Sequence, residues 1–298
     1  MFFQRRHLAA AIGGLLLSCA AHAGKLAIVI DDFGYRPAEE NKVLQMPAAI
    51  SVAVLPNAPG ARQMATKAHQ SGHEVLIHLP MAPLSKQPLE KDTLTPEMSR
   101  EEIARILRSA VNNVPYAVGL NNHMGSKMTS SLPGMQKVMQ ALSPYNFYFL
   151  DSMTIGNSQS VQAAQGTPVK VLKRRVFLDD SQEINAVRQQ FARAVKLAQR
   201  DGYAIAIGHP HPNTVRVLQQ MLPTLPPDIT LVRPSQLLHE PLHSNAAPSA
   251  KPQPQKPRFQ PPGVCKGQQP PVPATRALTV VGESVSQSLI VRTVEQLF

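Results

Sequence analysis

The chain has 298 residues, with 30 Lys and Arg against 19 Asp and Glu, a formal charge of +11 at pH 7, and no Trp in an aromatic content of 5%. A cationic surplus spread this thinly, without interleaved aromatic side chains, argues against nucleic acid as the partner and is compatible with an anionic cell-envelope polymer. Of the two cysteines, Cys19 lies in an N-terminal leader, so Cys265 has no intrachain partner and stability must come from a hydrophobic core.

In chain order, Met1 to Ala23 carries the three parts of a secretory signal: Arg5 and Arg6, the apolar stretch Leu8 to Leu17, and the small-x-small site Ala21-His22-Ala23. This predicts a periplasmic or secreted protein whose mature chain starts at Gly24. Leu16-Leu17-Ser18-Cys19 also suggests a lipoprotein anchor, but no polar linker follows Cys19. No later apolar run is long enough to span a bilayer. Next, Lys25-Leu26-Ala27-Ile28-Val29-Ile30 runs into Asp31-Asp32-Phe33-Gly34, as a buried parallel strand ends at a working surface. Since side chains alternate along a strand, Asp31 and Asp32 are expected on opposite sides, one for a cation and one for substrate. Capping of the following turn is the competing reading.

Further strand-like runs follow at 49–55, 74–79, 116–120, 147–150, 168–172, 203–207 and 229–232. Helical periodicity lies between several of them. Arg62 to Gln70 precedes Gly72, and Ser99-Arg100-Glu101-Glu102 reads as a capping box before Ile103, Ile106, Leu107 and Ala110. Met135 to Leu142, Ile184 to Ala198 and Thr214 to Leu222 complete the set. Alternating strands and helices predict an α/β domain over 24–240 with a parallel sheet, closed or nearly closed as a (β/α) barrel, the alternative being a doubly wound open sheet. No G-x-G-x-x-G or Walker loop is present, so nucleotide binding has no support. Pro80 to Pro96 reads as a cleft wall, and Lys173-Arg174-Arg175 as a solvated surface segment. From Pro241 to Ala274, Pro, Gln, Lys, Ala and Ser dominate. That composition predicts a disordered or polyproline tail over 241–298, which would suit contact with another envelope protein. Ala277 to Phe298 carries no usable motif.

Four apolar runs end in, or lead closely to, Asp or His: Asp31-Asp32, His78, His123 within Asn121-Asn122-His123, and His209 within Gly208-His209-Pro210-His211. In parallel α/β folds the carboxyl ends of strands hold the working groups. One Asp oxygen and two imidazole nitrogens suit zinc or a similar divalent ion with positions left for water and substrate. Either His209 or His211 could face the cleft, with His209 nearer the strand end. Asn122, Ser126 and Lys127 are candidates for substrate contact or for a tight turn. His69 and His73 read as helix and packing residues outside the site.

From about Lys25 to Leu238 the sequence resembles the polysaccharide deacetylases with a NodB-type homology domain, and most closely their divergent, exported branch. Ile30-Asp31-Asp32-Phe33-Gly34 is similar to the family's first motif, which implies Asp31 as general base and Asp32 as metal ligand. Gly72-His73-Glu74 leading to His78 is similar to the stretch before the first metal histidine. Ile207-Gly208-His209 is similar to the late motif whose histidine is the general acid. The resemblance implies an irregular seven-stranded deacetylase-type barrel and hydrolysis of an N-acetylated glycan such as a peptidoglycan-type polymer. Where the family has its second metal histidine this chain has Ala82, and His123 is the candidate replacement. The family's base-orienting arginine and its tryptophan have no counterpart, and Asp151 near the latter has no assigned role. A glycan- or protein-binding module on the same scaffold is the alternative.

Overall fold

A computed structural model of the chain describes residues 23–241. The segment expected to be an export signal, apart from Ala23, and the Pro-rich tail expected beyond Pro241 lie outside the described residues. Nine parallel strands occur among the described residues: β1 (Gly24–Phe33), β2 (Ser51–Val54), β3 (Val75–Met81), β4 (Ala117–Met124), β5 (Tyr148–Asp151), β6 (Val171–Lys173), β7 (Val176–Phe177), β8 (Tyr203–Gly208) and β9 (Ile229–Val232). Eight α-helices alternate with them: α1 (Pro37–Val43), α2 (Ala61–Gln70), α3 (Arg100–Asn113), α4 (Ser126–Ser130), α5 (Leu132–Leu142), α6 (Ser160–Ala163), α7 (Ile184–Asp201) and α8 (Pro212–Met221). No helix among the described residues is long and apolar enough to cross a membrane.

The strand order is β6-β5-β4-β3-β2-β1-β8-β7, with β9 pairing with the start of β1. β6 and β7 stand at opposite ends of that order, yet only Arg174 and Arg175 separate them. The Arg174 N–H donates to Asp151 O on the β5 side (3.0 Å) and the Arg175 N–H to Ile205 O on the β8 side (2.8 Å). Residues 171–177 are therefore one bent stave that joins the two edges. With β6 and β7 counted together, β1 to β8 make a ring of seven: the closed parallel barrel expected from the alternation of strands and helices, in the irregular seven-stranded form that the family resemblance implies.

Two apolar faces explain why the barrel forms. On β1, Leu26, Ile28 and Ile30 pack outward against helices, while Ala27 and Val29 point inward with Leu76, Tyr148, Leu150, Ile205 and Ile207. Gly119 on β4 is required here, because a Cβ at that position would lie 2.8 Å from the Tyr148 ring. The outer layer is held by amphipathic helices such as α3, whose Ser99 Oγ accepts the Glu102 N–H (3.1 Å). The reciprocal half of the expected capping box is absent, since the Glu102 carboxylate turns to Arg105.

At the opposite end from the strand termini, buried Glu74 closes the barrel floor. It accepts hydrogen bonds from Tyr148 Oη (2.7 Å), the Ser235 N–H (3.3 Å) and Ser235 Oγ, tying β3 and β5 to the short 3-10 turn Pro234–Leu237. His73 beside it is buried, its ring nitrogens facing Ile50 O (2.8 Å) and Leu44 O (3.2 Å). The Gly-His-Glu stretch thus works in the floor, away from the mouth. Glu74→Ala leaves the Tyr148 hydroxyl without its carboxylate partner in an apolar interior, and is expected to lower stability by about 1–3 kcal/mol in urea denaturation.

Candidate metal centre and catalytic groups

The inward alternation that builds the core also builds the site. Asp31 follows Val29 by two residues, His78 follows Leu76, His209 follows Ile207, and Asn121 and His123 follow Gly119 on β4. Each continues the inner row of its strand into the barrel mouth, so hydrophobic staves end in a ring of polar groups. β4 extends to Met124 and β3 to Met81, so His123 and His78 sit within strands rather than after them. His123 is opposite Pro80, and Asn121 is opposite His78.

Asp31 and Asp32 do not point to opposite sides. Asp32 has φ +58°, a left-handed conformation uncommon for a residue with a side chain, and the β1–β2 register shifts between Ile30 and Phe33. That break in the strand swings the second carboxylate back over the mouth. His78 Nε2 consequently lies 3.6 Å from Asp31 Oδ2 and 3.3 Å from Asp32 Oδ1. His123 Nδ1 lies 3.1 Å from both Asp32 Oδ1 and His78 Nε2. Asp32 Oδ1 is buried and makes no hydrogen bond. An unpartnered carboxylate oxygen facing two imidazole nitrogens is the donor set of a divalent cation site, and Asp32, His78 and His123 are close enough to share one ion.

Asn121 organises this cluster. Its Nδ2 donates to Asp31 Oδ1 (2.8 Å) while its Oδ1 faces His78 Nδ1 (2.8 Å). Because the carboxylate requires the amide NH2, the amide oxygen must accept from His78 Nδ1–H, which leaves His78 Nε2 as the nitrogen facing Asp32. Asp31 is almost wholly buried. Burial raises its pKa, against the opposing pull of His78 and His209. Burial works in the same direction on Asp32, but the imidazoles of His123 and His78 that face it outweigh burial and hold that carboxyl far below the usual range.

Across the mouth, His209 Nε2 lies 3.8 Å from Asp32 Oδ2. Its Nδ1 meets Asp179 Oδ1 at 3.0 Å, and Asp179 Oδ2 accepts the His209 N–H (2.7 Å) and Thr214 Oγ1–H (2.7 Å). Burial alone would lower the His209 pKa. The hydrogen bond and charge of Asp179, with Asp31 and Asp32 beyond, overcome it and raise the value to about 9. His211 caps α8 and faces Arg36 Nη1 (2.6 Å), so of the two histidines it is His209 that reaches the carboxylate pair.

A family model for divergent polysaccharide deacetylases matches residues 28–238. The chain belongs to that family. Among its relatives, the uncharacterized protein YibQ of Escherichia coli (strain K12) is 66% identical over 295 residues, covering 98% of this chain and 92% of that one. An uncharacterized Haemophilus influenzae protein is 46% identical over 208 residues, covering 70% and 74%. In fold, an uncharacterized protein of Agrobacterium tumefaciens C58 is similar at a TM-score of 0.68 and 19% identity, over 73% of this chain and 90% of that one.

Several neighbours of the site are not legible by pattern. Asn121 is overshadowed by Asn122, whose side chain instead ties β4 to Ser152 and Met124. Asp179 is the first of two adjacent aspartates after the apolar run Val176-Phe177-Leu178, which is too short to stand out as a strand. Asp151 is spent within its own loop, accepting from the Met153 N–H (2.8 Å) and from Ser158 and Ser160 Oγ (2.6 Å each). Ala82 offers only its carbonyl, which accepts the Lys127 and Met128 N–H groups at the start of α4. Lys127 itself turns away to Glu97.

Asp179→Asn removes the negative charge behind His209. The His209 pKa, followed by NMR of its ring, is expected to fall from about 9 towards the ordinary 6.5. Since the folded value lies above the ordinary one, the native chain's stabilisation by this proton is complete below pH 6.5 and lost as pH rises through about 9. The variant should lose that stabilisation, and an unchanged pKa would remove Asp179 as its cause.

Proposed function

We propose that the protein is a metal-dependent hydrolase that removes acetyl groups from an N-acetylated cell-envelope polysaccharide, acting in the periplasm after its signal is cleaved. The observation that carries this reading is the meeting of an unbonded Asp32 oxygen with His78 and His123, flanked by a buried carboxylate on one side and a carboxylate-backed imidazole on the other.

Asp32, His78 and His123 would hold the ion, and two imidazoles with one carboxylate favour zinc. Once bound, such an ion supplies Lewis acidity to the acetamido carbonyl and makes an attacking water more acidic, the pKa moving from ~16 towards ~7 in well-ordered zinc sites. Asp31 accepts the proton of that water. Asn121 pins its Oδ1, so Oδ2 is the oxygen left to receive it, and a desolvated carboxylate is the stronger base. His209 gives its Nε2 proton to the departing sugar nitrogen as the C–N bond breaks. Asp179 keeps that imidazole protonated and fixes Nδ1, so the proton available to the substrate is on the nitrogen facing the mouth.

The roles separate in mutants. Asp32→Ala, His78→Ala and His123→Ala should each abolish zinc uptake measured by elemental analysis. Asp31→Asn should keep the metal while acetate release from N-acetylglucosamine oligomers falls by about 10²–10⁴. Retained metal in all three alanine variants would remove the proposed site. Glycan binding by the metal-loaded protein without acetate release would make the barrel a binding module instead.

A further inference from the structure

Beside the mouth, on the stave that closes the barrel, lies a cavity of about 520 Å³ that the chemistry described above does not use. Its walls include Arg174, Arg193, Phe177, Thr154 and Asp180, with Arg175 at one side. That volume suits a monosaccharide-sized group.

The charges lining it are not equivalent. Arg175 is tied down, its Nη2 bonded at 2.7 Å to Asp201 Oδ2, a carboxylate it shares with Arg200. Arg174 is half-buried and, among the described residues, meets no carboxylate. Its Nε and Nη2 donate to the carbonyls of Ser152 (2.6 Å) and Met153 (2.8 Å), which fixes the plane of the guanidinium without neutralising it. Arg193, exposed on α7, is bonded only to Gln190 at 3.4 Å. Burial holds the Arg174 pKa below its ordinary value, outweighing the opposing charges of Asp151, Asp31 and Asp180, and the positive charge of Arg193 adds a smaller push in the same direction as burial. Among the described residues, two cations without a direct ion-pair partner thus share one cavity, with Asp180 the carboxylate in its wall and Asp151 and Asp31 acting on Arg174 from farther off.

The cavity is also joined to the reaction site. The Phe177 ring stands edge-on to His209 at 5.3 Å between centroids, and the Arg174 guanidinium lies 5.0 Å from the same ring. The order is therefore acid imidazole, aromatic ring, guanidinium. A glycan whose acetamido group meets His209 would have its neighbouring sugar against Phe177 and that sugar's substituent at Arg174 and Arg193.

We propose that this cavity is a subsite for a carboxylate-bearing sugar next to the one deacetylated, so that the enzyme prefers an acidic glycan over a neutral one. Arg174 supplies a rigid bidentate donor and Arg193 a mobile second charge. The proposal rests on the glycan reading of the site and narrows it to a substrate class.

The test is binding, measured by calorimetry on the metal-loaded protein, so it does not depend on turnover. The probes are a tetrasaccharide alternating N-acetylglucosamine with N-acetylmuramic acid, its carboxyl methyl ester, and neutral chitotetraose. The free acid should bind about tenfold more tightly than its ester at low salt, with the advantage shrinking as NaCl is added. Arg193→Glu, at an exposed helix position, should erase that preference while leaving chitotetraose affinity unchanged. Equal binding of acid and ester, absence of binding by any probe, or an unaltered preference in Arg193→Glu would overturn the subsite. Acid-selective binding without acetate release would leave the subsite standing and remove the hydrolase reading alone.

Discussion

Two carboxylates held a few ångströms apart in a mostly desolvated barrel mouth constrain everything around them. Neither can ionise without a nearby positive charge, because each raises the proton affinity of the other and burial adds to it. Three imidazoles answer that demand: His78 touches both carboxylates, His123 touches Asp32, and His209 approaches Asp32 from the far side. The result is asymmetric. Asp31 stays a high-affinity base, whereas Asp32 stays a permanent anion, and the difference arises from how many donors face each one. On the proposed reading, those surroundings decide which of the pair is base and which is ligand.

Maintaining that asymmetry needs a scaffold that cannot relax. β1 supplies it by lying under β2, β8 and β9 together, with Ile28, Val29 and Ile30 wholly buried. The left-handed turn at Asp32 is the one place where the strand departs from regular geometry, and Glu40 secures the segment just after it. The Glu40 Oε1 accepts the N–H groups of Gly34 (2.9 Å), Tyr35 (3.0 Å) and Arg36 (2.6 Å). Strain of this kind persists only where neighbouring contacts over-determine it. The barrel floor does the equivalent at the other end, through Glu74 and Tyr148.

Strand ends and the five residues Asp31, Asp32, His78, His123 and His209 are legible in the sequence because they stand at or soon after continuous apolar runs, and the helix faces because their apolar residues recur every three to four positions. The hidden features share a common cause. The φ of Asp32 is a backbone property that no side-chain pattern reports, and it reverses the expectation that the two aspartates would part. Asn121 and Asp179 act on other residues, so their signal is a spatial pairing across 43 and 30 positions of chain. Arg174 sits in a basic triplet that reads as solvated, yet the stave it belongs to crosses from β5 to β8 and turns its side chain into the wall beside the site.

In the proposed metal site, a donor at His123 in place of one at position 82 would change more than the identity of one ligand. A ligand four residues after His78 would sit just past the end of β3, where this chain carries buried Ala82, its carbonyl accepting the N–H groups at the start of α4. His123 instead projects from β4, which is hydrogen-bonded to β3 along its length, so the two imidazoles are fixed relative to each other by the sheet register. The same register places Asn121 opposite His78, which makes the base-holding amide and both nitrogen donors products of one strand pair. Shifting β4 by a single residue would turn Asn121 and His123 to the outer face together. On the proposed reading, a donor on β4 ties the geometry of the ion to that of the base, with the barrel itself as the link.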